Sequence, residues 1–337
     1  MVVAPAQPVK MSNVTRHYTF IDFATQGYMV TVAGLILVLH GNAVPLWPWL
    51  ILAHAIAIAL VHVLIASHAR RPANPVLDFL RHFYPVLLYT GFYRETGELN
   101  QMTITGYHDP FFIQLDERIF GAQPSLTFMQ SLPFWPVSEL LYASYFSYYI
   151  MIAGVGLALF LRDRRQFFHF VSVVSFVFYV CYLIYIFTPV MGPRIFQRVI
   201  NGYELPVEFQ PGVVTDFPAA VQGGLFFQIM AVIYNTFEAP GAAFPSSHVA
   251  VALTTVFFSF RYLRRIRFIH LIVALLLCLS TVYCRYHYVV DVAAGVITAL
   301  VLVPLGDWLY FRFHKPLEEA VSALSSASDS VTQRGRS

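Results

Sequence analysis

Three short polar groups interrupt the long apolar runs of this sequence, and their side chains suit displacement at phosphorus. TPVMGPR ends in Arg194, PSSH ends in His248, and CRYHYVVD contains His287 and Asp291. A spacing of four residues puts the last two side chains on the same face of a helix. A carboxylate held beside an imidazole fixes its tautomer and stabilises its positive charge. His287 is therefore a candidate nucleophile, with Asp291 as its orienting partner.

The remaining polar side chains suggest an anion site and a proton donor. Ser246 and Ser247 precede an apolar run, where a helix N-terminus would present free N–H groups to an anion. Arg194 offers a planar pair of donors to phosphate oxygens, and Arg285 adds a second positive charge nearby. His248 can protonate the departing alkoxide, a step worth about 10²–10⁴-fold in rate. We take these four other residues as phosphate-binding candidates and His248 as the candidate acid.

The composition indicates an all-α, polytopic membrane protein. Of the 337 residues 58% are hydrophobic and only 12% are charged, whereas soluble domains carry about 25% charged residues. The net charge of +3 comes from small basic groups between apolar runs, which excludes a nucleic-acid partner. The three cysteines lack metal-ligand spacing, and no cofactor or metal site is implied.

Apolar periodicity and length predict about eight membrane spans. The segments are 26–40, 47–67, 76–92, 137–161, 168–188, 245–261, 268–284 and 289–311. The third carries Asp78, Arg81 and Pro85, so a broken or interfacial helix is the alternative there.

Basic residues orient these spans. If all eight cross, fifteen of the 21 lysines and arginines share one side, five lie opposite, and Arg81 lies inside the third segment. The positive-inside rule then puts both termini in the cytoplasm, and we expect a plasma-membrane protein. The predicted organisation is a cytoplasmic N-terminal segment (1–25), N-terminal spans with an interfacial helix (26–136), a core carrying the three motifs (137–311) and a cytoplasmic, disordered tail (312–337).

This topology was derived mainly from lysines and arginines outside the three polar groups, yet it places all three groups on the non-cytosolic side. Each group alone has a structural explanation: an interfacial arginine reaching lipid phosphates, serine N-caps, and a His–Asp pair between helices. Their convergence on one side favours an active site over those explanations.

Two long loops lie on the same side and could build an acceptor pocket. Residues 93–136 contain DPFFIQLDERIF, which is typical of an interfacial helix. Residues 189–244 contain GGLFFQIMAVIYNTF, for which an interfacial or a re-entrant helix is expected. Glu95, Asp109 and Asp116 could bind a polyol acceptor or headgroup. Solvated or helix-capping roles are the alternative for each.

At the three motifs, over roughly 168–311, the chain resembles the type 2 phosphatidic acid phosphatase superfamily. That family has an arginine motif, then Pro-Ser-x-His, then His-x-x-x-Asp, in a six-helix core that earlier spans would complete here. The resemblance implies that His287 forms a phosphohistidine, Asp291 orients it and His248 is the acid for the leaving group. It also implies that Arg194 and the serine pair bind phosphoryl oxygens, and that the substrate is a lipid phosphate.

Departures from the phosphatase pattern suggest a particular branch. Phe187 and Thr281 stand where that pattern has Lys and Arg, and the Arg-Pro pair is reversed as Pro193-Arg194. The chain looks closer to inositol phosphorylceramide synthases and sphingomyelin-synthase-like enzymes, with YRETGELN and YHDPFFIQLDERIFG as similar segments. Losing two cations weakens attraction for a dianion more than for a monoanion, although Arg285 restores one charge.

The sequence therefore favours transfer of a phospho-headgroup from a phosphodiester lipid to an alcohol, with a polyol or a ceramide-like molecule as the acceptor. A hydrolase of phosphatidate or polyprenyl pyrophosphate is the alternative within the same chemistry. A non-catalytic lipid-binding or transport protein with a structural His–Asp pair is the alternative from another class, and it predicts polar residues at the membrane midplane.

Overall fold

The computed structural model describes residues 15, 17–195 and 217–334, and within those ranges the fold is built from helices. Three parts of the prediction lie outside the described residues: residues 1–14 and 16 of the N-terminal segment, residues 196–216 of the second loop, and the last three residues of the tail. The helices are α1 (Phe20–Leu39), α2 (Trp47–Arg70), α3 (Pro75–Leu99), α4 (Asp109–Phe120), α5 (Pro124–Ser131), α6 (Trp135–Arg162), α7 (Arg164–Phe187), α8 (Ala219–Gln222), α9 (Leu225–Phe237), α10 (Ser247–Tyr262), α11 (Arg267–Tyr283) and α12 (Val289–Arg334).

Five described helices are long and apolar enough to cross a membrane. They are α1, α2, α6, α7 and the part of α12 from Val289 to Phe313. The helices α3, α10 and α11 coincide with the other three predicted spans and pack into the same bundle. The predicted all-α, polytopic bundle is confirmed.

The central helix of the bundle is α7, which packs against α1, α3, α6, α10 and α12. After the first turn, which carries Arg164, Arg165 and Gln166, its side chains are mainly apolar on every side, as a helix enclosed by others requires. Val173, Val177, Cys181 and Tyr185 are fully buried along its length. Because α7 ends at Phe187, the TPVMGPR segment that follows it begins at one end of the bundle.

The third predicted span forms one continuous helix, α3, despite the polar residues that raised doubt. The guanidinium of Arg81 donates to both carboxylate oxygens of Asp22 at 2.8 and 2.5 Å, and Tyr84 donates to the same carboxylate at 2.6 Å. Arg81 is thus paired inside the bundle, as a charge in an apolar setting must be. Pro85 lies within the helix without ending it.

The same carboxylate explains why α1 begins earlier than residue 26. Asp22 accepts hydrogen bonds from the backbone N–H and the hydroxyl of Thr19, which forms the N-terminal cap of the helix. The helix therefore starts at Phe20, inside the segment 1–25 that was predicted to precede the first span.

The C-terminal helix α12 differs from the predicted disordered tail over 312–337, because it continues as helix to Arg334. The stretch LEEAVSALSSA consists mainly of residues with good helix propensity.

The bundle has two chemically different ends. At the arginine-rich end, Arg162 donates to the carbonyl of Tyr262 at 2.7 Å and Arg261 donates to Asp307 at 2.7 Å. At the opposite end, which we call the motif end, α7 finishes, α10 and α12 begin, and α9 packs against α6. The motif end therefore carries all three polar groups found in the sequence.

Candidate active site

The His–Asp pair lies at the start of α12. Asp291 is fully buried, and its Oδ2 accepts a hydrogen bond from the backbone N–H of Tyr288 at 2.9 Å. The same oxygen lies 3.4 Å from Nδ1 of His287, which is 3% exposed. Burial lowers the pKa of His287 well below its usual value, and the neighbouring His248 lowers it further. The imidazole is therefore neutral near pH 7, with one nitrogen directed at a carboxylate.

The other nitrogen of His287 faces the second histidine. Its Nε2 lies 3.5 Å from Nδ1 of His248, in the first turn of α10. Tyr145 and Tyr148 of α6 pack against the ring of His248, with centroid distances of 5.0 and 4.5 Å. The nucleophile and acid predicted from sequence are thus adjacent, although 39 residues separate them in the chain.

The two serines at the start of α10 have different surroundings. Ser246 is the N-cap: its Oγ accepts from the N–H of Val249 at 3.4 Å, and its own N–H donates to the Asp291 carbonyl at 3.1 Å. The N–H of Ser247 donates to the Tyr185 hydroxyl at 3.2 Å, which anchors the helix start to α7. Ser246 therefore has the capping role that the sequence left open, while Ser247 lines a cavity.

Arg194 is joined directly to the segment that carries the nucleophile. Its backbone N–H donates to the Arg285 carbonyl at 2.8 Å, and its Nη1 donates to the Tyr286 hydroxyl at 3.2 Å. The guanidinium also lies over the rings of Tyr234 and Tyr286, at 4.9 and 5.3 Å. The arginine motif and the His–Asp motif therefore form one unit.

Arg285 is the second positive charge predicted here, and its conformation is unusual. Its φ is 63°, in the left-handed region that costs a non-glycine residue roughly 1–2 kcal/mol. Its guanidinium lies over the Phe217 ring at 4.9 Å, and its carbonyl holds Arg194. Its predicted role in phosphate binding stays a prediction.

Sequence reasoning missed the role of Asp109, which fastens two of the motifs together. Its carboxylate accepts from the N–H groups of Met191 and Gly192, at 2.8 and 2.9 Å, and from the Tyr288 hydroxyl at 2.9 Å. Burial raises the pKa of Asp109, and these hydrogen bonds oppose the rise. Gly192 has a φ of 87°, and a Cβ there would lie 2.5 Å from the Tyr286 carbonyl oxygen, so only glycine fits.

Asp116, two turns further along α4, holds the start of α12. Its carboxylate accepts from the N–H groups of Val289 and Val290 at 2.8 and 3.1 Å. This is helix capping by a side chain from another helix, at the end where negative charge is favourable. The spacing of these residues in the sequence could have indicated that the two carboxylates are buried, because Asp109, Phe112 and Asp116 share one face of α4 and all three are buried.

Glu95, the third acidic residue considered for an acceptor, lies elsewhere. Its Oε1 is 3.5 Å from Nδ1 of His54, between α2 and α3. Asp109 and Asp116 are likewise engaged with backbone N–H groups. The structure thus gives all three acidic side chains partners within the protein.

A cavity of about 410 Å³, which we call the tyrosine cavity, opens beside His248. Four helices and the start of α10 enclose it. It is lined by Tyr89, Thr90, Tyr93, Tyr148, Tyr149, Ile152, Phe178, Tyr182, Ile233, Tyr234, Phe237, Glu238, Ser247 and His248. The two predicted loops contribute Tyr93 and the residues of α9, and the remaining walls come from α3, α6 and α7.

Comparison with known proteins identifies the family. The sequence profile of the PAP2 superfamily matches residues 112–305, a range that includes all three motifs. The profile describes the superfamily as a whole and favours none of its branches. Searches of curated proteins and of solved structures found no significant match. The chain therefore belongs to the PAP2 superfamily, as an integral membrane protein of the lipid phosphatase or phosphotransferase type.

Proposed function

We propose that this protein transfers a phospho-headgroup from a phosphodiester lipid to an alcohol, through a covalent intermediate on His287. The supporting observation is the placement of this imidazole between Asp291, 3.4 Å from Nδ1, and His248, 3.5 Å from Nε2. Each ring nitrogen faces the group that the reaction requires. Catalytic hydrogen bonds are often long before substrate binds and tighten in the complex.

In the first half-reaction, Nε2 of His287 attacks phosphorus and the bond from phosphorus to the lipid alkoxide breaks. His248 gives its proton to that alkoxide oxygen. Arg194 balances the charge on the phosphoryl oxygens, helped by Ser247 and Arg285. Asp291 stabilises the imidazolium character that develops on the nucleophile.

In the second half-reaction, an alcohol oxygen attacks the same phosphorus and the bond to Nε2 breaks. His248 takes the proton of the attacking hydroxyl and so returns to its starting state. Water in place of the alcohol would make the protein a hydrolase of phosphatidate or of a polyprenyl pyrophosphate. The tyrosine cavity beside His248 offers room for an alcohol, since its volume of about 410 Å³ falls within the range of about 300–1,000 Å³ that small-molecule sites occupy.

The preference for a phosphodiester rests on two positions, Phe187 and Thr281, where uncharged residues replace the Lys and Arg of the phosphatase pattern. Phe187 at the end of α7 is 44% exposed, and Thr281 near the end of α11 is fully buried. The carbonyl of Thr281 accepts the N–H groups of Tyr286 and His287 at 2.9 and 3.1 Å, so this position supports the nucleophile through its backbone. With fewer cations, the site suits a monoanionic diester better than a dianionic monoester.

The proposal extends to the branch and to the location. We assign the protein to the inositol phosphorylceramide synthase-like branch, with a polyol or ceramide-like acceptor. We also place it in the plasma membrane, with the arginine-rich end in the cytoplasm and the motif end on the opposite face. A C-terminal epitope tag that an antibody reaches in intact cells would contradict this orientation.

The test is to trap the intermediate. Purified full-length protein is incubated with ³²P-labelled phosphatidylinositol or phosphatidate and quenched in alkaline detergent. We expect acid-labile, alkali-stable label on the protein from the diester, and no label on the His287→Ala variant. If phosphate were released rapidly from phosphatidate while phosphatidylinositol did not react, we would conclude that the protein is a hydrolase and not a transferase. Undiminished label on His287→Ala would end the proposal.

A further inference from the structure

We propose that Tyr234, on the loop helix α9, positions the guanidinium of Arg194 for binding of the phosphoryl group. Tyr234 lies outside the three motifs, so the inference adds a positioning residue to the candidate site. It rests on the role in phosphate binding that the proposed function gives Arg194, and it specifies what holds that side chain in place.

The ring of Tyr234 contacts both the arginine motif and the segment of the nucleophile. It stacks on the ring of Tyr286, with a centroid distance of 4.0 Å and an angle of 6° between the ring planes. The guanidinium carbon of Arg194 lies 4.9 Å from the Tyr234 centroid, within the roughly 6 Å over which an aromatic face attracts a cation. Because Tyr286 immediately precedes His287, the stacked rings join Arg194 to the residue beside the nucleophile.

The position of the Tyr234 ring is itself fixed by contacts with α6. Its hydroxyl shares a hydrogen bond with the hydroxyl of Tyr145, which is fully buried. The ring of Tyr145 also packs against Tyr286, with a centroid distance of 4.4 Å. At the other end of α9, Glu139 of α6 accepts a hydrogen bond from the N–H of Phe226 at 3.1 Å. Helix α9 is thus held against α6 near both of its ends, which keeps the Tyr234 ring beside Arg194.

The guanidinium needs such a support because its backbone bonds fix only the base of the side chain. An arginine side chain has several rotatable bonds and loses rotamer freedom when it binds. The bond from Nη1 to the Tyr286 hydroxyl, at 3.2 Å, uses one of the five N–H donors that a guanidinium carries. Flat rings beside the guanidinium restrict its orientation further, and a group that is already oriented binds an anion at a lower entropic cost.

The orientation of Arg194 matters more here than in a site with several cations. Phe187 and Thr281 stand where the phosphatase pattern has Lys and Arg, so Arg194 supplies a larger share of the attraction for the phosphoryl oxygens. A bidentate contact from an arginine also depends on the direction of its plane. We therefore expect phosphate affinity to depend on the ring that sets this plane.

The alternative is that Tyr234 only completes the wall of the tyrosine cavity or only packs α9 against α6. These roles differ in what they predict when Arg194 is changed. A cavity wall or a packing residue acts independently of the arginine, whereas a positioning residue acts through it. Combined substitutions therefore separate the two explanations.

The experiment measures binding of inorganic phosphate to the full-length protein in detergent, by calorimetry. Tyr234→Leu should weaken binding by about tenfold, because it removes the aromatic face beside the cation. Tyr234→Phe keeps that face and should stay within about threefold of the wild type. Phe226→Leu is the matched control and should leave binding unchanged, because it removes from α9 a ring that packs against Phe146 of α6 and is not one of the two rings beside Arg194.

The double variant tests whether Tyr234 acts through the arginine. In an Arg194→Lys background, which lacks the planar guanidinium, Tyr234→Leu should change phosphate binding by less than about twofold. A tenfold loss that persists in this background overturns the inference, and so does equal binding by the wild type and Tyr234→Leu. If the leucine variant does not fold, Tyr234→Met provides a flexible apolar side chain without an aromatic face and tests the same point.

The result is independent of the covalent step, because phosphate binding requires no phosphohistidine. A wild-type protein that binds phosphate in the predicted, Tyr234-dependent way but forms no labelled intermediate would refute the proposed function and support this inference. A wild-type protein that forms the intermediate but binds phosphate equally well with and without the Tyr234 ring would support the function and overturn the inference.

Discussion

Replacing Asp109 by alanine removes the common acceptor of three hydrogen bonds that hold the arginine motif against the His–Asp motif. A hydrogen bond to a charged group contributes about 1.5–3 kcal/mol, and a buried N–H left without a partner costs about 1–3 kcal/mol. The three bonds share one carboxylate and are not additive. We therefore expect a loss of about 4 kcal/mol in the free energy of unfolding, close to that of breaking a buried ionic network.

The measurement is denaturant-induced unfolding in mixed detergent micelles, combined with the rate at which labelled intermediate forms. Asp109→Asn keeps the shape and one acceptor oxygen, so its loss of stability should be about half as large. Glu117→Ala, at an exposed position on the same helix, is the control and should change stability by less than about 0.5 kcal/mol. If Asp109→Ala matched Glu117→Ala in both stability and labelling, the fastening role of Asp109 would be refuted.

Three further predictions concern the residues around the nucleophile. Asp291→Asn should slow formation of the labelled intermediate by about 10²-fold or more while the protein stays folded, because the amide cannot stabilise the imidazolium; a wild-type rate would exclude the pairing. Gly192→Ala should cost about 1–3 kcal/mol of stability, since its Cβ would meet the Tyr286 carbonyl at a positive φ, whereas Gly154→Ala in α6 has open space and should not destabilise. Because burial lowers the pKa of His287, the acid limb of kcat/KM should lie below pH 6.5, the ordinary value for histidine. Because the folded-state pKa of His287 is lowered, the neutral buried imidazole contributes its full stability above pH 6.5, and that contribution is lost as the pH falls below 6.5. An acid limb above pH 7 would contradict both expectations.

The features predicted well from sequence depend on local pattern. The spans follow from apolar runs that only a membrane or a large core can bury, and α7 and α12 begin within a few residues of the expected positions. The residues of the candidate site were singled out because polar side chains at the ends of such runs are costly without a use, and their roles stay predictions. The topology predicted from the basic residues placed these side chains on one side of the bundle, and the proximity of His248 to His287 is consistent with that placement.

The features missed depend on partners that are distant in the chain. Asp109 bonds to Met191 and Tyr288, and Asp22 bonds to Arg81, so no local window shows that these carboxylates are buried and occupied. The difference between Ser246 and Ser247 was equally hidden, since it depends on which hydroxyl the first turn of α10 directs toward its own backbone. Spacing gives the face of a helix, and only the assembled bundle gives its neighbour.

Helix α4 has two faces with different surroundings. Asp109 and Asp116 hold the backbone behind the nucleophile, whereas Phe111, Ile119 and Phe120 are at least half exposed on the same twelve-residue helix. If those apolar side chains rest among lipid headgroups, as the amphipathic pattern indicates, the depth at which the bilayer seats α4 is transmitted through two carboxylates to the reacting histidine. Catalytic rate should then vary with the thickness and headgroup composition of the surrounding lipid, even at a fixed concentration of both substrates.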